Sequence, residues 1–134
     1  MDRIRISSDL LAAIAGHAAR VAPKECCGLL VGRGDRIDEV VATRNVLDHP
    51  ARYQIDPQDH IDTNRRLRGT GRSIIGAYHS HPRSEAVPSP RDLEEAHYPE
   101  FVWLIVSLKH GPPDYRVYRI ADGAATSVEL IPER

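Results

Sequence analysis

The segment FVWLIVSL, residues 101–108, is the strongest constraint on the fold of this 134-residue chain. An uninterrupted apolar run of this length is typical of a strand whose two faces are both covered. The segment therefore predicts a central strand, with other parts of the chain packed against each side of it.

Helix and strand patterns alternate through the rest of the chain. Residues 8–22 predict a helix, because their apolar residues fall on one stripe and Ser8 or Asp9 can cap the start. The further predictions are a hairpin over 25–46 turning at GRGD, a short extended segment at 53–56, a helix from Asp56-Pro57 to Gly69, a strand at 73–81, a helix starting at Ser89-Pro90, and two outer strands at 114–120 and 126–131. The pattern predicts a mixed α/β fold, with residues 1–134 forming a single domain.

Charge and composition exclude several classes of function. The formal net charge is −1, so no global field favours nucleic acid or an anionic membrane. No apolar run is long enough to span a bilayer, and MDRIRISSDLL lacks the apolar region of a signal peptide. The two cysteines, Cys26 and Cys27, are neighbours that are poorly placed to bridge each other, and at least one is predicted to be a buried core residue. These features predict a cytoplasmic protein with no nucleic-acid or membrane partner.

The segment YHSHPRSEAVPSPRD, residues 78–92, concentrates side chains that bind metals. His79 and His81 lie two apart at the end of a predicted strand, so their rings project from the same face. Asp92 begins the following helix and is placed to turn back toward them. Two nitrogens and one oxygen with a fourth position open form the pattern of catalytic zinc, whose bound water has a pKa lowered to about 7.

Each of these signals also has a simpler interpretation. An isolated H-x-H is more often a surface or core pair than a metal site, and Ser89-x-x-Asp92 approximates a capping box. Other H-x-H enzymes are excluded by what the chain lacks. Barrel amidohydrolases need a chain of roughly 250 residues, zinc deaminases need P-C-x-x-C, and zincin proteases need H-E-x-x-H.

The whole set of residues resembles the JAMM motif of the MPN+ metalloproteases. Glu25 is followed three residues later by Gly28, and His79-Ser80-His81-Pro82 precedes Ser89-x-x-Asp92 at the spacing of that motif. The resemblance extends over nearly the whole chain and includes the leading helix and the apolar strand after the motif. It implies one MPN domain with a central mixed, mostly antiparallel sheet flanked by helices, similar to the cytidine deaminases.

The resemblance also implies a role for each motif residue. His79, His81 and Asp92 would bind one Zn²⁺. Glu25 would take a proton from the zinc-bound water and pass it to the leaving amine, and Ser89 would donate a hydrogen bond to the oxyanion. From the sequence alone, Glu25 is better explained as a surface acid at the start of a strand, and only the family pattern singles it out.

Members of this family cut peptide or isopeptide bonds after the C-terminal glycine of ubiquitin-like proteins. Small bacterial members release an amino acid such as cysteine from a ubiquitin-like sulfur carrier, which makes such a carrier the predicted substrate and partner. Two alternatives stay open at this point. One is a non-catalytic MPN scaffold that lacks metal, and the other is a phage tail-assembly-type peptidase.

A few residues outside the motif are candidates for lesser roles. His97 lies near the motif helix and is a candidate to support a ligand, while Tyr53 and Tyr78 are candidate cleft residues. A basic cluster could dock an acidic carrier, although a solvated helix face is the simpler interpretation; it comprises Arg65, Arg66, Arg68 and Arg72.

Overall fold

The computed structural model describes residues 2–47 and 49–134, which form seven strands and three helices. In chain order these are β1 (Arg3–Ser7), α1 (Ser8–Val21), β2 (Cys27–Arg33), β3 (Arg36–Thr43), α2 (Pro57–Leu67), β4 (Ser73–His81), α3 (Pro90–Glu95), β5 (Val102–Ser107), β6 (Asp114–Ala121) and β7 (Ala124–Glu133). The predicted mixed α/β class is confirmed.

The strands form one closed sheet in the order β1-β3-β2-β4-β5-β6-β7, and β7 returns to pair with β1. Four of the pairings are antiparallel, whereas β1 runs parallel to both of its neighbours and β4 runs parallel to β5. The expected mixed and mostly antiparallel sheet is therefore present, and its closure into a barrel is an additional feature.

Strand β5 fulfils the prediction made from the apolar run, because every one of its residues is buried. Its side chains alternate between two apolar clusters, as the pleat of a strand requires. Leu104 and Val106 pack with α1 in the larger cluster, while Trp103 and Ile105 belong to a smaller cluster on the opposite face.

The N-cap of helix α1 lies one residue before the predicted position. The N-cap is Ser7, whose Oγ accepts a hydrogen bond from Leu10 N at 3.1 Å, so the prediction of Ser8 or Asp9 as the cap was wrong. Strand β1 reaches Ser7 directly and leaves that residue in extended geometry, which is the backbone state an N-cap needs. The predicted apolar stripe is confirmed, since Leu11, Ile14 and Ala18 are buried.

Strand β1 was not predicted from the sequence, although Ile4 and Ile6 alternate with Arg3 and Arg5. Both isoleucines are buried in the larger cluster.

The segment 53–56 contributes only the isolated bridge of Ile55 to Asn45. Within the described residues, no helix combines the length and apolarity needed to cross a membrane.

Candidate metal centre

His79 and His81 end strand β4 and project from one face of it, with 2% and 4% of their surfaces exposed. Strand β4 is paired along both sides, with β2 and with β5, so the two rings are held in a fixed register. Ser80, between them, faces the other way, and its Oγ accepts a hydrogen bond from Cys26 N at 2.8 Å. The predicted geometry of the H-x-H pair is present.

Asp92 reaches the two histidines from the first turn of α3. Its Oδ2 lies 3.1 Å from His79 Nε2 and 3.1 Å from His81 Nε2. The same oxygen accepts a hydrogen bond from Ser89 N at 2.9 Å, while Ser89 Oγ accepts one from Asp92 N at 3.1 Å. These two bonds form a capping box, which fixes the direction of the Asp92 carboxylate. The capping interpretation and the metal interpretation are therefore both compatible with one arrangement.

The three side chains have the spacing that a single metal ion requires. His79 Nε2 and His81 Nε2 are 3.2 Å apart, and each of them lies 3.1 Å from Asp92 Oδ2. The three atoms therefore form a nearly equilateral triangle. A tetrahedral ion with bonds of about 2.0–2.1 Å holds its ligand atoms roughly 3.3 Å apart. The donor set and its spacing fit such an ion, and among the described residues this is the cluster of His, Cys, Asp and Glu able to hold one.

The two rings are supported in different ways on the side away from the triangle. His81 Nδ1 lies 2.7 Å from the carbonyl oxygen of Glu85, which can only accept, so Nδ1 carries a hydrogen, and in the neutral ring Nε2 is the nitrogen whose lone pair can bind a ligand. His79 Nδ1 is buried and has no partner within the described part of the chain. Instead, the ring of Tyr53 stacks on the His79 ring.

Burial and charge set the protonation of the three groups. Burial lowers the pKa of His79, which favours the neutral imidazole that binds metals. Burial alone would raise the pKa of Asp92, but hydrogen bonds from His79 and His81 hold it well below its usual range. For His81, burial opposes charge, yet the hydrogen bonds to Asp92 and to the Glu85 carbonyl raise its pKa.

Glu25 lies just before β2, the strand that pairs with the end of β4. Its residue surface is 8% exposed, and its backbone is fixed by hydrogen bonds from Asn45 Nδ2 to its carbonyl and from its own N–H to His49 O. Burial raises its pKa to about 7, with the His81 charge lowering the value and the Asp92 charge raising it. A carboxyl group with that pKa can both accept and return a proton near neutral pH.

Ser89 is the N-cap of α3, and its Oγ accepts a hydrogen bond from Asp92 N. A hydroxyl that accepts one hydrogen bond still has its own hydrogen to donate. Within the described residues, no acceptor takes that hydrogen. The hydroxyl hydrogen is therefore available to a further acceptor.

The turn over residues 82–88 is tied down from the neighbouring strands. Ser107 Oγ of β5 donates to the carbonyl of Ser84, and Tyr118 Oη of β6 donates to the carbonyl of Ala86 at 2.6 Å. These bonds come from strands that follow the turn in sequence. They place Ser89 and α3 against the end of β4.

Two clefts flank the metal centre. The first, of about 640 Å³, is lined by the end of α1, residues 22–26 and residues 43–45, and includes Glu25. The second, of about 480 Å³, lies between the segment 47–60 and the connection from α3 to β5. We call it the aromatic cleft, since its walls include Tyr53, Tyr98, Phe101 and Trp103. Leu47 and Ile55 also line it.

The secondary candidates have different outcomes. Tyr53 and His97 both line the aromatic cleft. Tyr78 does not, and the prediction of a cleft role for it was wrong: it is 1% exposed, and its hydroxyl lies 2.7 Å from His17 Nδ1 beneath α1. Strand alternation explains this, because Tyr78 must face opposite to His79. Both cysteines are buried and free, and burial raises the pKa of Cys26 to about 11, which favours the protonated thiol at neutral pH.

The basic cluster is partly neutralised by acids of β3. Arg66 pairs with Glu39 at 2.9 Å, and Arg72 pairs with Asp38 at 2.6 Å and with Glu39 at 2.9 Å. These contacts favour the simpler interpretation of a solvated face that is bound to the sheet.

Comparison with known proteins places the chain in a family. The profile of the family Prok-JAB, described as prokaryotic homologs of the JAB domain, matches residues 7–121. A desampylase of Haloferax volcanii is 35% identical over 112 residues, covering 78% of this chain and 81% of the relative. A CysO-cysteine peptidase of Mycobacterium tuberculosis is 33% identical over 124 residues, covering 90% and 85%. A probable TtuB-protein conjugate cleaving protease of Thermus thermophilus is 32% identical over 123 residues, covering 91% and 79%.

Solved structures agree with this placement. A solution structure of a protein from Desulfitobacterium hafniense has a TM-score of 0.89 and 29% identity, covering 98% of this chain and 93% of the other. A crystal structure of a JAB1/MPN domain protein from Archaeoglobus fulgidus has a TM-score of 0.65 at 23% identity, covering 96% and 98%, and shows the shared fold. The chain belongs to the prokaryotic homologs of the JAB domain, within the JAMM/MPN family.

Proposed function

We propose that this protein is a zinc-dependent peptidase or isopeptidase that hydrolyses the bond after the C-terminal glycine of a ubiquitin-like sulfur carrier. The observation that carries the proposal is the triangle of His79 Nε2, His81 Nε2 and Asp92 Oδ2, with sides of 3.1–3.2 Å, beside a buried glutamate. The names of the relatives, which include a desampylase and a CysO-cysteine peptidase, support the substrate class.

His79, His81 and Asp92 would hold the zinc ion. When bound, this ion would supply Lewis acidity, which polarises the scissile carbonyl and lowers the pKa of a bound water toward neutrality. The hydrogen bond between His81 Nδ1 and Glu85 O supports this role, because it leaves Nε2 free as a ligand. The capping box supports the role of Asp92, because it directs the carboxylate before any ion is bound.

Glu25 would act as the general base and then as the general acid. It would take a proton from the attacking water and return it to the nitrogen of the leaving amine as the peptide bond breaks. Its burial and its pKa of about 7 suit both steps, since a group with that pKa is present in both protonation states near neutral pH. Ser89 would donate its hydroxyl hydrogen to the carbonyl oxygen as negative charge develops there.

A non-catalytic scaffold is the main rival. Such a scaffold needs no directed triangle of ligand atoms and no buried glutamate, and both are present here. A metal assay separates the two proposals, because a scaffold is expected to hold no stoichiometric zinc. The phage-type alternative shares the same chemistry and differs only in the substrate.

The test is to incubate the protein with ubiquitin-like carriers that bear a C-terminal extension after a diglycine. Mass spectrometry is expected to show cleavage after the second glycine. Glu25→Gln is expected to abolish cleavage while zinc stays bound, because the amide fills the same space but cannot accept the proton. Cleavage by Glu25→Gln at the parent's rate would show that another group is the base.

A further inference from the structure

The side-chain amide of Asn45 uses its full hydrogen-bonding capacity on the main chain. Its Nδ2 donates to Glu25 O at 3.1 Å and to Arg52 O at 3.0 Å. Its Oδ1 accepts from Leu47 N at 3.0 Å and from Gln54 N at 3.0 Å. Carbonyl oxygens only accept and backbone N–H groups only donate, so these four partners permit a single orientation of the amide. One side chain therefore fixes three separate stretches of backbone.

Two of these bonds hold the peptide units on either side of Tyr53. The Arg52 carbonyl belongs to the peptide unit before the Tyr53 Cα, and the Gln54 N–H belongs to the unit after it. The Tyr53 ring stacks on the ring of His79 with centroids 4.4 Å apart. Because one planar amide holds both flanking units, the Tyr53 Cα has little freedom to move away from β4. Asn45 therefore fixes the ring that contacts a proposed metal ligand.

A third bond holds the backbone of the proposed general base. The Glu25 carbonyl accepts from Asn45 Nδ2, and the Glu25 N–H donates to His49 O at 3.3 Å. Glu25 precedes the first residue of β2, so it lies outside the part of the chain that the strand fixes. A base has to lie within hydrogen-bond reach of the water, and a displacement of about 1 Å can lower a rate roughly 10²-fold. The backbone bonds of Glu25 therefore bear directly on the rate.

We propose that Asn45 is a positioning residue for hydrolysis, which holds Glu25 through its main chain and His79 through Tyr53. The inference rests on the proposed function. Residues 52–54 and Glu25 all lie outside the seven strands, so a side chain has to supply the order that a sheet would otherwise give. Asn45 is itself anchored, since it follows β3 and forms an isolated bridge with Ile55.

Zinc affinity tests the route through Tyr53 without a cleavage assay. In competition with a chromogenic chelator, Asn45→Ala is expected to bind zinc about tenfold more weakly than the parent. Tyr53→Leu is expected to show the same loss. The double variant is expected to lose no more than either single variant, because both changes act through the same ring. The parent's affinity in Asn45→Ala, or the product of the two losses in the double variant, would overturn this route.

Two control variants separate positioning from general loss of stability. Asn64 is exposed on α2, so Asn64→Ala makes the same chemical change on a solvated surface. Tyr115 Oη donates to Leu11 O at 3.0 Å, and Tyr115→Phe removes this bond between β6 and α1. Both variants are expected to keep the parent's zinc affinity, although Tyr115→Phe is expected to melt at a lower temperature. An equal loss of zinc affinity in Tyr115→Phe would assign the Asn45 effect to stability and would overturn the proposal.

Carrier cleavage at saturating zinc tests the hold on Glu25. Asn45→Ala is expected to lower kcat per folded, zinc-loaded molecule roughly 10- to 10²-fold, because a displaced base impairs the chemical step. Asn64→Ala is expected to keep the parent's kcat. An unchanged kcat in Asn45→Ala, or a change confined to KM, would overturn the hold on Glu25.

Hydrogen exchange in the parent tests the coupling to the metal without any variant. If the bonds of Asn45 favour zinc binding, zinc must stabilise those bonds by the same factor. The Gln54 amide is therefore expected to exchange roughly tenfold more slowly in the zinc-loaded protein than in the metal-free protein. The amides of Ala121 and Ala124, at the turn between β6 and β7, are expected to exchange equally in both. Equal exchange of the Gln54 amide in both forms would overturn the coupling.

These measurements distinguish the role of Asn45 from the proposed function. A parent that binds zinc but cleaves no carrier would refute the function, and the zinc titration and hydrogen exchange would still decide whether Asn45 acts on His79. A parent that cleaves carriers, together with an Asn45→Ala variant that keeps both the zinc affinity and the kcat of the parent, would refute the positioning role alone.

Discussion

The rings of Tyr53 and His79 lie nearly parallel, with centroids 4.4 Å apart and planes inclined by 20°. His81 is oriented by a hydrogen bond from Nδ1 to the Glu85 carbonyl, whereas His79 Nδ1 has no such acceptor in the described residues. Stacking of Tyr53 therefore orients the His79 ring, as the hydrogen bond to Glu85 orients the His81 ring. It restricts the rotation of the ring and directs Nε2 toward Asp92.

Tyr53→Leu is accordingly expected to weaken zinc binding about tenfold, the lower end of the effect of losing a group that orients a metal ligand. Tyr53→Phe keeps the stacked ring and is expected to bind zinc as the parent does. A competition titration against a chromogenic zinc chelator measures both affinities. Equal affinities for the parent and Tyr53→Leu would show that the stacking does not orient His79.

The pH dependence of stability is expected to reveal the buried carboxyl of Glu25. Its folded-state pKa of about 7 lies above the ordinary value of 4.5, so the folded state binds this proton more tightly than the unfolded state. The resulting stabilisation is present at low pH and is lost as the pH rises from about 4.5 to 7. In the metal-free protein at pH 8, Glu25→Gln is therefore expected to be more stable than the parent, by up to about 3 kcal/mol.

Urea denaturation of both metal-free proteins at pH 5 and pH 8 measures this difference. The gain from Glu25→Gln is expected to be much smaller at pH 5 than at pH 8. Glu129→Gln, which changes an exposed carboxylate, serves as the control and is expected to show no such gain. An equal gain at both pH values would mean that packing, and not charge, is responsible.

Gly28 is expected to tolerate no side chain. A Cβ added there would lie 2.1 Å from Tyr78 Cε2 and 2.3 Å from Tyr78 Cζ, so the ring that contacts His17 would have to move. Gly28→Ala is expected to lower the free energy of unfolding by about 1–3 kcal/mol or more. Gly16→Ala makes the same chemical change within α1, where the nearest atom is the flexible end of Arg20 at 3.4 Å, and is expected to raise it by about 0.5–1 kcal/mol. Thermal denaturation that shows equal effects at both sites would contradict the packing argument.

Ser89 is expected to contribute to both stability and rate. Ser89→Ala removes the cap of α3, at a cost of about 1 kcal/mol, and removes the donor to the substrate oxygen, lowering kcat roughly 10²- to 10³-fold. Ser89→Thr keeps the hydroxyl and is expected to retain most of both. Rates per folded molecule, measured well below the melting temperature, separate the two effects. A folded Ser89→Ala protein with the parent's kcat would restrict Ser89 to capping.

His79, His81, Ser89 and Asp92 could be placed together from the sequence because their geometry is local, whereas Glu25 comes near them only through the pairing of β2 with β4. A strand alternates its side chains, which fixes His79 and His81 on one face, and a capping box at Ser89 and Asp92 turns the acid back toward the strand. The burial of residues 102–107 was likewise predictable, because a continuous apolar run is typical of a strand that is covered on both faces. In these segments, sequence neighbours determine the arrangement.

Contacts between distant segments could not be read in the same way. Tyr53 meets His79 only because the segment after β3 folds over the end of β4, and no periodicity encodes that path. Strand β1 illustrates a different difficulty. Its alternation of Ile4 and Ile6 is short, and its stability comes from pairing with both β3 and β7, which lie far from it in sequence. Its two neighbours decide that the segment is a strand, and that the sheet closes.

The most direct test of the proposed chemistry is anomalous diffraction at the zinc edge from crystals grown with one equivalent of zinc. A single strong peak is expected, with bonds to His79 Nε2, His81 Nε2 and Asp92 Oδ2. It should be absent from crystals of Asp92→Ala grown in the same way. If the parent crystals show no peak at these three atoms, or only peaks elsewhere on the surface, the proposed metal centre is wrong.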